Sequence, residues 1–209
     1  TSLAASRNAH PPDPDPTGSV PPSSTSQVFV DLAEMPYDSL SKYGFFQGPM
    51  SGMQPSEGVL PFAPINALFS DYAKKSRFVW MPPGVSATYE SDSSALVFPD
   101  GAVLIKTFYY DGVQPDNGRR ILETRLLFRR NGGWEFADYR WNEEMTEAVY
   151  DMTGQNVPIT FTDDAGTSHD VIYRIPTETE CLTCATQENT GITNTRRTKI
   201  VRNWTQSNH

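Results

Sequence analysis

The sequence is poor in the residues that build metal centres and staples. Among 209 residues there are two cysteines and three histidines. The cysteines lie three apart, so they cannot brace a large fold, and burial has to stabilise it instead. His10, His169 and His209 are scattered singly and do not supply the second ligand pair that a zinc site needs. No apolar run approaches the roughly 18 residues that span a bilayer as a helix. Positive charge is also scarce: 17 Lys and Arg stand against 25 Asp and Glu, a net charge of −8. Such a chain repels phosphate backbones, which argues against nucleic acid and anionic membrane surfaces as partners. The chain opens at Thr1 without a Met or a signal-like apolar region, and so reads as processed or trimmed.

What the chain has is aromatic and turn-forming residues: 11 Phe, 9 Tyr and 4 Trp, with 17 Pro and 14 Gly. This combination favours short strands joined by tight turns. Residues 1–27 hold Pro11, Pro12, Pro14, Pro16, Pro21 and Pro22 among small polar residues, and read as a disordered or polyproline II tail. Residues 28–75 read as irregular, with a short helix near Asp38–Phe46 closed by Gly44 and another turn or two over Leu68–Lys75.

From residue 76 apolar residues recur with period two. Strands are expected at 77–81, 87–90, 96–98, 102–110, 121–130, 134–141, 148–150, 157–161 and 169–174. Asn131-Gly132 suits a type I′ turn, and Asp163–Gly166 a turn between the last two strands. The expectation is all-β: a β-sandwich or barrel-like domain of roughly eight or nine short strands over residues 28–180, with irregular tails. Residues 181–209 carry Arg196, Arg197, Lys199 and Arg202 and form a basic C-terminal tail on an acidic body.

Cys181-Leu182-Thr183-Cys184 carries the most specific chemistry. Cys-x-x-Cys followed by His is the attachment signal for c-type haem, but Ala185 stands in the fifth place. A local disulfide, two free thiols, a redox pair and covalent haem with an axial ligand from elsewhere all remain open. No helix is expected to start at this point and lower a thiol pKa.

Several phrases resemble a family of bacterial secreted or periplasmic proteins related to dihaem c-type cytochromes. They are the runs Leu60 to Val79, Phe98 to Tyr110, Glu123 to Leu127, Trp134 to Glu143 and Tyr173 to Cys184, together covering about residues 35–184. The resemblance implies an extracytoplasmic location and a β-rich module leading into a haem-binding Cys-x-x-Cys-His. Cys181 and Cys184 match the attachment positions, whereas the proximal His is replaced by Ala185. The carry-over is therefore mainly of fold, with the haem site degenerate.

Other candidates are weaker. Trp134, Tyr139, Trp141 and Tyr150 form an aromatic group that could stack on sugar rings or pack as core. Alternation puts Trp134 and Phe136 on one face of their strand and Tyr139 and Trp141 on the other. Aspartates in turns offer no EF-hand spacing, so no metal is expected. Asn203-Trp204-Thr205 is a glycosylation sequon if the source is eukaryotic. The expected function is a non-enzymatic interaction or structural domain without a cofactor, with a protein partner or a second copy of itself. The alternatives are an electron-transfer protein with haem c on Cys181 and Cys184, and a β-sandwich glycan-binding module.

Overall fold

The computed structural model describes residues 27–63, 72–91 and 94–180, and it is all-β. The first stretch is a 3-10 turn, Leu40–Tyr43, closed by Gly44 at φ 64°. Next come β1 (Phe46–Gln47), β2 (Gln54–Pro55) and β3 (Val59–Pro61). The main strands are β4 (Lys74–Trp80), β5 (Val103–Val113), β6 (Gly118–Arg130) and β7 (Gly133–Trp141). The chain then forms β8 (Ala148–Tyr150), β9 (Gln155–Thr162) and β10 (Ser168–Ile175).

β1 and β2 pair with each other, and the other eight strands form one antiparallel sheet that does not close into a barrel. Its body runs β3, β4, β5, β6, β7, β8. The β9–β10 hairpin joins this body by a single ladder pair, Val113 with Phe161, and by the bond from Gln114 N to Thr160 O at 2.9 Å. Otherwise it lies over the face that carries Phe108, Tyr110 and Leu122, and builds a core with them from Val157, Ile159, Phe161, Tyr173 and Ile175.

The opposite face carries Ile105, Leu126, Phe128, Ala137, Tyr139 and Trp141. It is covered by the N-terminal segment through Met35, Tyr37, Leu40, Tyr43, Phe45 and Phe46. The sheet is thus clothed on both sides, as in a sandwich, but one covering layer is a hairpin and the other is largely irregular chain.

Glycine makes the hairpin's seat possible. Gly112 has φ +72°, and a Cβ there would collide with the backbone carbonyl of Thr162 at the end of β9. Gly154, at φ +73°, precedes β9, and its Cβ would sit 2.8 Å from Thr177 Cγ2 and 2.9 Å from Thr177 N. Backbone approaches the sheet or itself at both ends of β9, closer than a side chain allows.

The pairs at 121–130 with 134–141, 148–150, and 157–161 with 169–174 occur as strands at nearly the expected bounds. Asn131 (φ 50°) and Gly132 (φ 74°) both adopt the left-handed geometry expected of their turn. Three expectations are corrected. The proposed strands 87–90 and 96–98 shrink to one isolated bridge, Thr88 with Val97, because Pro82, Pro83 and Gly84 lead into loop. Lys74 and Lys75, placed in a helical turn, open β4 instead, and the rest of that turn lies largely outside the described residues. The barrel alternative fails because β8, β3 and β10 do not meet.

Candidate functional site

Alternation along β6 and β7 sets Glu123, Arg125, Asp138 and Arg140 on one face, a charged stripe of the kind that usually faces water. The β9–β10 hairpin covers part of it. Glu123 is 0% exposed and Asp138 1% exposed. Arg125 closes a two-point fork on Glu123, Nη2 to Oε1 at 2.6 Å and Nε to Oε2 at 3.0 Å. Tyr173, reaching down from β10, donates its hydroxyl to Glu123 Oε1 in a very short hydrogen bond. Arg125 also lies over the Phe108 ring at 4.6 Å.

Asp138 faces Arg125 across the ladder, yet neither of its carboxyl oxygens accepts a hydrogen bond. An ionised carboxylate could not remain so, because burying an unpaired charge is prohibitively costly. A protonated one needs no donor and can itself donate to Glu123. The ionisation behaviour agrees. Burial pushes Asp138 up to about 10, and the adjacent Glu123 hydrogen bond and charge add to it. Burial opposes ionisation of Glu123 too, but the Asp138 hydrogen bond, the Arg125 charge and the Tyr173 hydroxyl outweigh it and hold its carboxyl below the usual range. Burial and then the Glu123 charge push the Tyr173 phenol up. One guanidinium, two carboxyl groups and one shared proton make a neutral cluster.

Arg140, directly opposite Glu123 in the ladder, turns away to Asp151 at 2.7 Å and Gln155 Oε1 at 3.1 Å. It therefore ties the sheet to the start of β9. The charged stripe as a whole works as a clamp: Tyr173 and Gln155 belong to the hairpin, and everything they hold belongs to the sheet.

Beside the far end of the hairpin, Tyr72, Lys74, Tyr110, Asp111, Phe161 and Asp163 line a cleft of about 190 Å³. Lys74 Nζ stands 3.3 Å from Asp111 and 3.8 Å from Asp164. Arg119 takes the other side of Asp111 at 2.7 Å. His169 Nε2 lies 2.8 Å from Asp163 Oδ2, and its ring stacks on Phe161 at 5.0 Å. Asp163 Oδ1 meanwhile accepts the backbone N–H groups of Ala165 and Thr167, at 3.0 and 2.8 Å. This histidine braces the turn.

No protein-family model, curated protein or solved structure matches this chain. The geometry alone therefore speaks for the site.

The aromatic group predicted from sequence is split. Tyr139 (0% exposed) and Trp141 (7%) are buried, which withdraws them from any ligand-stacking surface. Trp141 Nε1 donates to Thr124 Oγ1 at 2.9 Å, and that hydroxyl also meets Thr107 Oγ1 at 2.8 Å. Trp134 packs edge-on against Phe98 on the other face, at 5.7 Å, and Tyr150 alone is exposed. Strand alternation is the cause: 139 and 141 point into the larger core, and 134 into a separate small one.

Cys181, Cys184 and Asn203 lie outside the described residues, as do His10, His209 and both tails. What leads up to Cys181 is described, and it corrects one expectation. Residues 178–180 enter a helical turn. Thr177 N donates to Glu180 Oε2 at 2.7 Å and Glu180 N to Thr177 Oγ1 at 3.4 Å, a capping box. A helical start does precede the cysteines, and its signature Thr-x-x-Glu at 177–180 was open to reading. Among the described residues no group of three His, Cys, Asp or Glu could hold a metal ion.

Proposed function

We propose that the chain is a non-enzymatic interaction or structural domain, working outside the cytoplasm and descended from a cytochrome-associated module whose haem site has decayed. The observation that supports this is the use made of its buried charged groups. Glu123, Arg125 and Tyr173 are bonded to one another beneath the hairpin, with Asp138 buried beside them, and fasten it to the sheet. The strand so fastened, β10, presents a backbone edge that pairs with no other strand among the described residues. A rigid strand with a bare edge is a common means of recruiting a protein partner.

A photo-crosslinking residue at position 172, introduced in the native host, tests this reading. Capture of a defined protein species, whether another protein or a second copy, supports it. Absence of capture there and at the other exposed β10 positions sinks it.

A second reading takes support from the capping box at Thr177 and Glu180. The helical residues 178–180 lead in sequence to Cys181 and Cys184, the two thiols that would bond one haem. Intact mass and a visible spectrum separate the two readings. A Soret band that survives denaturation identifies an electron-transfer protein; a colourless chain removes this alternative. The glycan-binding reading loses its platform with Tyr139 and Trp141 in the core, and is not pursued.

A further inference from the structure

We propose that β10 pairs with β10 of a second copy, antiparallel, about a two-fold axis midway between the two Ile172 residues. This rests on the interaction reading above and names both its surface and its partner.

The hydrogen-bond phase of the hairpin makes the edge available. Asp163 N donates to Thr167 O at 2.9 Å, and the ladder continues in register from Ser168–Thr162 to Ile175–Gln155. Backbone groups of His169, Val171, Tyr173 and Ile175 therefore face β9, while those of Ser168, Asp170, Ile172 and Arg174 face outward. The bond from Gln114 N to Thr160 O has the same phase, since residue 160 turns its backbone away from β10. Side chains at 168, 170, 172 and 174 are all exposed on the outer face. Ile172, at 68%, is the most exposed of the large apolar residues among those described. An edge that is unpaired among the described residues and carries an exposed isoleucine is what solitary proteins tend to avoid.

Symmetry and charge then choose the register. A two-fold axis perpendicular to the sheet keeps outer side chains outward, so it must lie between the strands level with a residue of β10 and not level with the gap between two. Centred on Ile172, it sets that side chain against its own copy and Asp170 opposite the partner's Arg174, twice. Centred on Val171 it would oppose Asp170 to Ile172, and centred on Tyr173, Ile172 to Arg174. Centred on Asp170 or Arg174 it would set like charges face to face, which is unfavourable. Only the Ile172 centre matches every charge with its opposite. It also aligns outward-facing backbone groups at 170, 172 and 174, giving three pairs that each exchange two hydrogen bonds.

The charged side chains are placed for this. Asp170 uses Oδ1 for Thr160 Oγ1 at 2.6 Å, leaving its other oxygen. Arg174 reaches Asn156 and Glu180 at 3.2 Å while remaining 48% exposed, so its guanidinium can bridge Glu180 and the partner's Asp170. The resulting contact is isologous and small, so a reversible dimer is expected rather than an obligate one.

Sedimentation or light scattering of the full chain, up to about 100 μM, reads the dimer directly. The wild type is expected to dimerise and Ile172→Lys to stay monomeric. Asp170→Arg alone and Arg174→Asp alone are each expected to weaken dimerisation at least about tenfold. The double variant restores it, because the two charges exchange places across the axis. A wild type that remains monomeric overturns the proposal, and a dimer indifferent to the charge reversals overturns the register. If the chain is monomeric while the crosslinker at 172 captures a different protein, self-pairing fails and the interaction reading stands. If it is monomeric and captures nothing, both fail.

Discussion

Tyr43 and Tyr139 are 96 residues apart and share a hydrogen bond of 2.7 Å between their hydroxyls. Tyr139 passes its own proton to Tyr37 O at 2.9 Å, and the Tyr43 oxygen accepts Tyr37 N–H at 3.1 Å. The three tyrosines close a loop of bonds that pins the N-terminal segment to the C-terminal half of β7. Tyr139→Phe would leave Tyr37 O without its donor in a buried site. A loss of about 1–3 kcal/mol is expected in urea unfolding. A change of less than a few tenths would mean that the segment is held by apolar contact alone.

Tyr173→Phe removes the hairpin's hydrogen bond to Glu123 and keeps the ring. Bonds to a buried charged group are worth about 1.5–3 kcal/mol. The loss should appear as faster amide exchange along β9 and β10, with β6 and β7 protected as before. Equal loosening of all four strands would contradict the clamp.

Stability should also depend on pH through Asp138. Its folded pKa of about 10 lies above the ordinary 3.8, so between those values the folded protein holds a proton that the unfolded chain releases. This contribution is complete below the ordinary value and is lost as pH rises toward the folded one. The slope approaches about 1.4 kcal/mol per pH unit while the one-proton difference holds. Glu123 acts oppositely: its folded pKa is lowered, so its share fades only as pH falls below the ordinary carboxylate range. Asp138→Asn keeps a donor for Glu123 and cannot ionise. It should therefore flatten the decline between pH 6 and 9, and matching slopes for variant and wild type would remove the shared proton.

Gly112→Ala and Gly154→Ala should each cost more than about 2 kcal/mol, since both add backbone strain to a collision. Gly118 is the control: it has ordinary φ and nothing within 4 Å of an added Cβ. Its alanine variant should fall within about 0.5 kcal/mol of wild type. Thermal unfolding of the three variants decides the matter.

The strands from 121 to 175 were legible because their alternation and turn chemistry are local. Asn131-Gly132 and Asp163–Gly166 fix their hairpins without help from the rest of the chain. The clamp was not legible. Glu123, Arg125, Asp138 and Arg140 alternate with apolar residues, and such a stripe normally faces water. Only the return of a hairpin from residues 155–175 buries it, and nothing local in β6 or β7 records that event. Tyr139 and Trp141 were ambiguous for a related reason. Alternation showed that they share a face, but the N-terminal segment determines that the face is core. The failed strands at 87–90 and 96–98 have the right composition, yet too few neighbours to pair with.

The hairpin's connectivity has a mechanical consequence. Ile175 and Gln155 form its open end, and the chain leaves from Ile175 toward the cysteines. A load applied through the C-terminal segment would meet the β10 ladder one rung at a time, peeling from Ile175 toward Ser168 instead of shearing all rungs together. Two residues into that tear stands Tyr173, locked to Glu123. Pulled from its C-terminal side, the domain would thus meet the Tyr173–Glu123 bond near the start of the tear, before the Asp170–Thr160 and His169–Asp163 contacts farther along the strand.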